Sequence, residues 1–155
     1  AIEARYYDEV IARVAVPNGM VLHRIENATY DLLQHATAAL VTSGTATLET
    51  ALFGVPQVVC YKTPVPWLIR WAFTHILSCN YISLVNLIAD KEIVAELFAD
   101  RFSVEQITAE LAQILPGGAK RSEILAGYGL VEERLGKERA AQNAAQQMIA
   151  LLQRG

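Results

Sequence analysis

The sequence predicts an α/β protein with a parallel β-sheet, and three observations support this fold class. Short apolar runs of strand length alternate with segments whose apolar residues recur at helical spacing. Turn signals separate them, as at Pro17-Asn18-Gly19. The chain is 53% hydrophobic and 19% charged, so it can bury a core. Because strand–helix repeats at this spacing form right-handed βαβ units, we predict a Rossmann-like parallel sheet with flanking helices.

The first half of the chain supplies the predicted strands, at 20–23, 38–42 and 58–61. A helix precedes the Pro17 turn, because Ile2, Tyr6 and Val10 fall at near-helical spacing. Two more helices are expected, one capped by Asn27 and running to residue 33, the other at 46–53.

The second half of the chain is predicted to be mainly helical. Ser103 is expected to cap a helix that ends at residue 115, before the stop signal Pro116-Gly117-Gly118. A helical tail follows over 119–152. Since no repeat or low-complexity linker interrupts the chain, we predict one domain over 1–155, and the start at Ala1 within a helical pattern suggests a piece of a longer protein.

Charge and cysteine content exclude several classes of function. The net charge of −3 argues against nucleic acid as a partner, because phosphate contacts need clustered Lys and Arg. Cys60 and Cys79 are predicted to be buried thiols of a reducing compartment. No metal site is predicted, since the histidines lack ligand spacing. No apolar run reaches the roughly 18 residues of a spanning helix.

A hydroxyl-rich turn at residues 42–49, TSGTATLE, is the predicted ligand site. It follows a buried strand and starts a helix, which is where open parallel sheets bind ligands. The unpaired N–H groups at a helix start favour phosphate, Gly44 permits close approach, and Ser43 and Thr45 add hydroxyls. Glu49 lies one turn further along and suits a ribose diol. Spacing alone equally fits an ordinary helix start with Thr45 as N-cap and Glu49 in solvent.

Two motifs in this order resemble the lipid-A-disaccharide synthase family. The first comprises TSGTATLE at 42–49 with GVPQVV at 54–59 and YK at 61–62, and the second is YISLVNLIADKEIV at 81–94. The family usually has Pro where Val85 stands, and the following Asn86 is retained. The resemblance covers nearly the whole chain and is strongest over about 37–98.

The resemblance implies part of a two-domain glycosyltransferase of the B architecture. Family members transfer 2,3-diacylglucosamine from UDP-2,3-diacylglucosamine to 2,3-diacylglucosamine 1-phosphate, with inversion, in lipid A biosynthesis. The carboxy-terminal domain binds the donor, and this chain resembles most of that domain without its first strand and phosphate loop. The amino-terminal domain, which carries acceptor contacts and the base, would be a required partner. The fragment alone is therefore expected to be inactive, and no cofactor is expected, because the UDP-sugar is a substrate.

The resemblance also implies roles for individual residues. Ser43, Gly44 and Thr45 would contact the diphosphate and Glu49 the ribose, while Asn86 would lie near the donor sugar or diphosphate. The alternative for Asn86 is a cap of the helix that follows Leu84. No catalytic residue is assigned within this chain.

An aromatic segment at 64–73 is a candidate membrane or acyl-chain contact. Trp67 and Trp71 share one helical face and Arg70 lies between them, a composition typical of segments that enter a membrane surface. Packing in the core is the alternative. We expect a cytoplasmic protein, peripheral on the inner membrane of a Gram-negative bacterium, whose last helix pairs in a homodimer or packs on the other domain.

Two other functions fit part of the sequence. Another UDP-sugar transferase, such as the muramyl-peptide N-acetylglucosaminyl type, or a UDP-sugar epimerase would share the turn and Glu49 but lack the 81–94 motif. The remaining alternative is a non-enzymatic α/β module that binds a partner through its aromatic face.

Overall fold

The computed structural model describes residues 4–42, 44–62, 80–136, 145–146, 148–150 and 152–153. The chain divides into two compact units, 1–31 and 32–155, and each is described by itself. The prediction of a single domain over 1–155 stays a prediction.

The first unit contains helix α1 (Ala4–Arg13) and the turn that follows it. The amide of Met20 donates to the Pro17 carbonyl at 3.1 Å, and Gly19 has a φ of 88°, which confirms the predicted turn. The predicted strand at 20–23 is wrong, because this stretch has no regular structure. Met20 and Val21 are exposed, and an unpaired strand has no partner for its backbone groups.

The second unit contains a parallel three-stranded sheet, which confirms the α/β fold class. Its strands are β1 (Ala39–Val41), β2 (Gln57–Tyr61) and β3 (Glu96–Phe98), in the order β1-β2-β3. The four residues 57–60 of β2 are all buried, so both faces of the central strand are covered. The sequence did not predict β3, because three residues are too short for a periodic pattern.

Helices connect and flank the strands. Helix α2 (Thr29–His35) leads into β1, and α3 (Gly44–Leu52) joins β1 to β2. Asn27 precedes α2 by two residues with a φ of 57°, so it is not the predicted cap. Helix α4 (Leu84–Ala89) lies before β3, and a 3-10 turn (Ala99–Arg101) follows that strand.

Two longer helices complete the unit. Helix α5 (Val104–Ile114) begins at Ser103, whose Oγ accepts from the Gln106 amide at 3.2 Å, as predicted for the cap. Helix α6 (Arg121–Leu135) begins after the predicted stop signal, and helical residues recur at 145–146, 148–150 and 152. The helical tail is thus confirmed for the part of it that the structure describes.

The core lies between β2 and the helices around it. Ile124, Tyr128 and Val131 form one stripe along α6, and α6 packs against α4 and α3. Cys60 is buried as predicted, and burial raises the pKa of its thiol, whereas Cys79 lies outside the described residues.

Candidate functional site

The start of helix α3 forms the centre of the candidate site. Strand β1 ends at Val41 and α3 begins at Gly44, so the turn lies at the carboxyl edge of the parallel sheet. Among the described residues, a Cβ added to Gly44 would have one neighbour within 4 Å, the Tyr61 hydroxyl at 4.0 Å. Gly44 itself is half-buried, and Ser43, the residue before it, lies outside the described residues.

Thr45 and Glu49 lie on one face of this helix start, since they are four residues apart in α3. Thr45 is exposed and Glu49 is half-buried. The Glu49 carboxylate makes no hydrogen bond or ion pair with any residue that the structure describes. The alternative in which Thr45 is the N-cap is wrong, because Thr45 lies inside the first turn.

Two buried threonines of α3 satisfy their hydroxyls on carbonyl groups of the same helix. The Thr47 hydroxyl donates to the Gly44 carbonyl at 2.6 Å, and the Thr50 hydroxyl donates to the Ala46 carbonyl at 2.7 Å. Both side chains are used within the helix. Of the three threonines of α3, Thr47 and Thr50 are thus used within the helix, whereas Thr45 is exposed.

Tyr61 borders the candidate site, although the sequence analysis did not assign it to the site. It ends β2, and its hydroxyl lies beside the Gly44 turn. Burial, followed by the negative charge of Glu96, raises the pKa of the Tyr61 hydroxyl above its ordinary value of 10.0. At neutral pH this group is a protonated hydrogen-bond donor. The sequence signal that could have identified Tyr61 was its position at the end of a buried strand.

Asn86 lies in a buried polar network near α4. Its Nδ2 donates to the Val94 carbonyl at 2.8 Å and to Glu96 Oε1 at 2.9 Å, while its Oδ1 accepts from the amides of Ile93 and Val94. All four hydrogen-bonding positions of the amide are therefore occupied. The cap of α4 is Ser83, so the alternative in which Asn86 is that cap is wrong. The predicted proximity of Asn86 to the donor sugar or diphosphate stays a prediction. In this structure the Asn86 side chain has no hydrogen-bonding position left for such a ligand.

Glu96 organises this network and was not singled out from the sequence. Its Oε1 accepts from the Ser83 amide at 2.8 Å and the Ser83 hydroxyl at 2.7 Å, and its Oε2 accepts from the Ile82 amide at 2.8 Å. With the Asn86 bond, the buried carboxylate receives four hydrogen bonds. Among the described residues it has no ion pair, so these donors compensate its burial.

The predicted membrane contacts Trp67, Arg70 and Trp71 lie outside the described residues. Within the part of the chain that is described, no helix is long and apolar enough to cross a bilayer. The same part contains no cluster of three or more His, Cys, Asp or Glu side chains placed to hold a metal ion.

Two cavities in the described structure lie away from the start of α3. One of about 580 Å³ is lined by Leu52 and by the last turns of α6. Leu52 is the final residue of α3, so this cavity is at the opposite end of that helix. Another of about 240 Å³ lies between the 92–95 segment and the helices α5 and α6. Neither cavity is lined by a predicted site residue.

The fold and the helix-start geometry together define an α/β domain of the Rossmann-like parallel-sheet class. The model of the lipid-A-disaccharide synthetase family matches residues 4–151, and the chain belongs to this family. It is 38% identical to the lipid-A-disaccharide synthase of Syntrophus aciditrophicus (strain SB) over 141 residues, 90% of this chain and 36% of the relative. It is 36% identical to that of Gloeothece citriformis (strain PCC 7424), over 92% of this chain and 37% of the relative. The chain thus spans little more than a third of these relatives' length.

Proposed function

We propose that this chain is the donor-binding part of a lipid-A-disaccharide synthase. The complete enzyme would transfer 2,3-diacylglucosamine from its UDP donor to 2,3-diacylglucosamine 1-phosphate with inversion. The observation that carries the proposal is the position of the start of α3, where Gly44, Thr45 and Glu49 follow a parallel strand. Family membership and the name shared by the relatives support it.

The chain's contribution to catalysis would be positioning and charge stabilisation. The first amides of α3 and the Thr45 hydroxyl would donate to the diphosphate, and the helix dipole would favour the negative charge of departing UDP. Tyr61 adds a protonated hydroxyl beside Gly44. Glu49 would accept hydrogen bonds from the ribose hydroxyls, consistent with its lack of a described partner. The base and the acceptor contacts would come from the amino-terminal domain.

Binding of UDP to the full-length protein tests the nucleotide part of the proposal. Glu49→Ala should weaken UDP binding by roughly tenfold to a hundredfold, the range for losing hydrogen bonds to a charged group. Gly44→Leu should abolish binding without unfolding the domain, because a Cβ at this position meets no atom of the described residues closer than 4.0 Å and Gly44 has no positive φ. Isothermal titration calorimetry measures both. Glu133→Ala, on the exposed surface of α6, is the matched control.

The outcomes of this experiment separate the candidate functions. Unchanged UDP affinity in both variants would contradict the proposed site, and no UDP binding by the unmodified protein would favour a partner-binding module. UDP release from UDP-2,3-diacylglucosamine in the presence of the acceptor tests the reaction itself. A protein that binds UDP but does not turn over acylated sugars would be another UDP-sugar enzyme.

The substrates also suggest where the enzyme works. Both sugars carry acyl chains, so we infer that the full-length protein is cytoplasmic and works peripherally on the inner membrane. The segment containing Trp67, Arg70 and Trp71 would supply contacts to lipid or acyl chains, and a homodimer would form through the tail.

A further inference from the structure

Tyr61 extends strand β2 beyond the last residue of its neighbour β1. The last pair between the two strands joins Val41 to Val59, and Tyr61 lies two residues further along β2. Since a strand rises about 3.3 Å per residue, Tyr61 stands about 7 Å past the end of β1. After Val41 the chain leaves the sheet and begins α3 at Gly44. Tyr61 therefore lies at the carboxyl edge of the sheet, which is where open parallel sheets bind ligands.

The Tyr61 side chain reaches the start of α3. Its hydroxyl is 4.0 Å from the position that a Cβ on Gly44 would occupy, and Gly44 is the first residue of α3. Tyr61 is half-buried, and its hydroxyl makes no hydrogen bond with any residue that the structure describes. A tyrosine hydroxyl that is removed from water usually has a partner, so the hydroxyl of Tyr61 is available to a ligand.

The donors at this point favour an anion. Burial, followed by the negative charge of Glu96, raises the pKa of the Tyr61 hydroxyl above 10.0, so the group keeps its proton at neutral pH. The first amides of a helix are donors as well, and the helix dipole adds partial positive charge there. Two kinds of donor thus meet beside Gly44, and both favour a negatively charged oxygen.

Glu49 and Tyr61 lie at different distances from the start of α3. Glu49 follows Gly44 by five residues, which is about 7.5 Å along the helix axis, whereas Tyr61 lies beside Gly44 itself. In the proposed donor complex Glu49 would bind the ribose, so the phosphate chain would run from Glu49 towards the helix start. The phosphate that reaches Tyr61 would then be the distal one, which is farther from the ribose.

We propose that the Tyr61 hydroxyl donates a hydrogen bond to the distal phosphate of the UDP donor and makes the site select nucleoside diphosphates over monophosphates. This inference rests on the proposed function, since it concerns the donor bound at α3. UMP lacks the distal phosphate, so its affinity does not depend on the Tyr61 hydroxyl. UDP carries that phosphate, so its affinity includes the Tyr61 hydrogen bond.

Tyr61→Phe in the full-length protein tests the inference by isothermal titration calorimetry with UDP and with UMP. The variant keeps the aromatic ring and removes only the hydroxyl. We expect UDP affinity to fall by roughly tenfold, as for the loss of one hydrogen bond to a charged group, and UMP affinity to stay within about twofold. Tyr128→Phe is the matched control, because it removes a buried hydroxyl from α6 and should leave the ratio of UDP affinity to UMP affinity unchanged.

The outcomes separate this inference from the proposed function. Unchanged UDP affinity in Tyr61→Phe would overturn the inference. Equal losses of UDP and UMP affinity would also overturn it, because they would show that Tyr61 only supports the fold around the site. If Glu49→Ala weakens UDP binding and Tyr61→Phe does not, the inference fails and the proposed function stands. An unmodified protein that does not bind UDP would refute the proposed function, and this inference would fall with it.

The unmodified protein provides a second test that does not depend on the folding of Tyr61→Phe. We expect it to bind UDP at least about tenfold more tightly than UMP, because only UDP can accept the Tyr61 hydrogen bond. Equal affinities for the two nucleotides would overturn the inference, since the distal phosphate would then gain nothing from the site.

Discussion

Single buried polar side chains connect separate parts of this domain. Tyr128 of α6 donates its hydroxyl to the Val55 carbonyl at 3.0 Å and accepts from Gln57 Nε2 at 3.3 Å. The same Gln57 Nε2 donates to the Thr47 carbonyl at 2.8 Å. These bonds join α6 to the start of β2 and to α3. Tyr128 is therefore both a member of the apolar stripe of α6 and a polar link from α6 to other elements.

The buried Tyr128 hydroxyl should make the stability of the domain fall as pH rises through the alkaline range. Burial raises the pKa of its hydroxyl to about 12, from an ordinary value of 10.0. Below pH 10 the group is protonated in both the folded and unfolded states, so its full stabilisation is present. As pH rises from 10 to 12 the unfolded state loses the proton first, and roughly 3 kcal/mol of stability should be lost.

Tyr128→Phe isolates this effect when unfolding free energies are measured in urea at pH 8 and pH 11.5. At pH 8 the variant should be about 1–2 kcal/mol less stable, because the Val55 and Gln57 groups lose their partner. At pH 11.5 the difference should shrink or reverse. Tyr7→Phe, at an exposed position, is the control. An identical pH dependence for Tyr128→Phe and the unmodified protein would contradict the prediction.

At the scale of elements, close packing of α6 on the loop before β3 depends on a glycine. A Cβ added to Gly127 would lie 2.6 Å from Cγ2 and 2.8 Å from Cδ1 of Ile93. Gly129 lies two residues further along the same helix, and a Cβ there would meet no atom of the described residues within 4 Å. The two glycines therefore differ in packing while sharing a helical backbone.

Gly127→Ala and Gly129→Ala should change stability in opposite directions. Gly127→Ala forces Ile93 to move and should destabilise the domain by about 1–3 kcal/mol. Gly129→Ala should stabilise it by up to about 1 kcal/mol, because alanine favours the helix. Thermal or urea unfolding of the two variants measures the difference. Equal effects would show that α6 does not pack closely on Ile93.

At the scale of the whole molecule, membrane association is predicted from composition alone. Trp67→Ser combined with Trp71→Ser in the full-length protein should reduce its binding to phospholipid vesicles, because both indole rings would leave the interface. Co-sedimentation with vesicles measures the loss, and circular dichroism verifies folding. Unchanged vesicle binding, or global unfolding of the double variant, would support core packing of the two tryptophans.

Local patterns in the sequence were sufficient for the fold class and for some of the element boundaries. The Ser103 cap, the Pro17 turn and the strands near 39–41 and 57–61 depend on neighbouring residues, so they were predictable. The stretch at 20–23 has strand composition but no pairing partner, which a local pattern cannot detect. The short strand β3 was not predicted, for the opposite reason. Its pairing with β2 stabilises it, whereas its own three residues carry little strand signal.

The sequence by itself determined the α/β class, the hydroxyl-rich turn and the family resemblance, because these depend on residue types at fixed spacings. Only the tertiary structure decided which polar groups already have hydrogen-bond partners within the protein. It placed Tyr61 beside Gly44, enclosed Asn86 in four hydrogen bonds and buried the carboxylate of Glu96, the first residue of β3, against the start of α4. The physical reason is that a polar group's partners are set by sheet register and helix packing, which join residues distant in the chain.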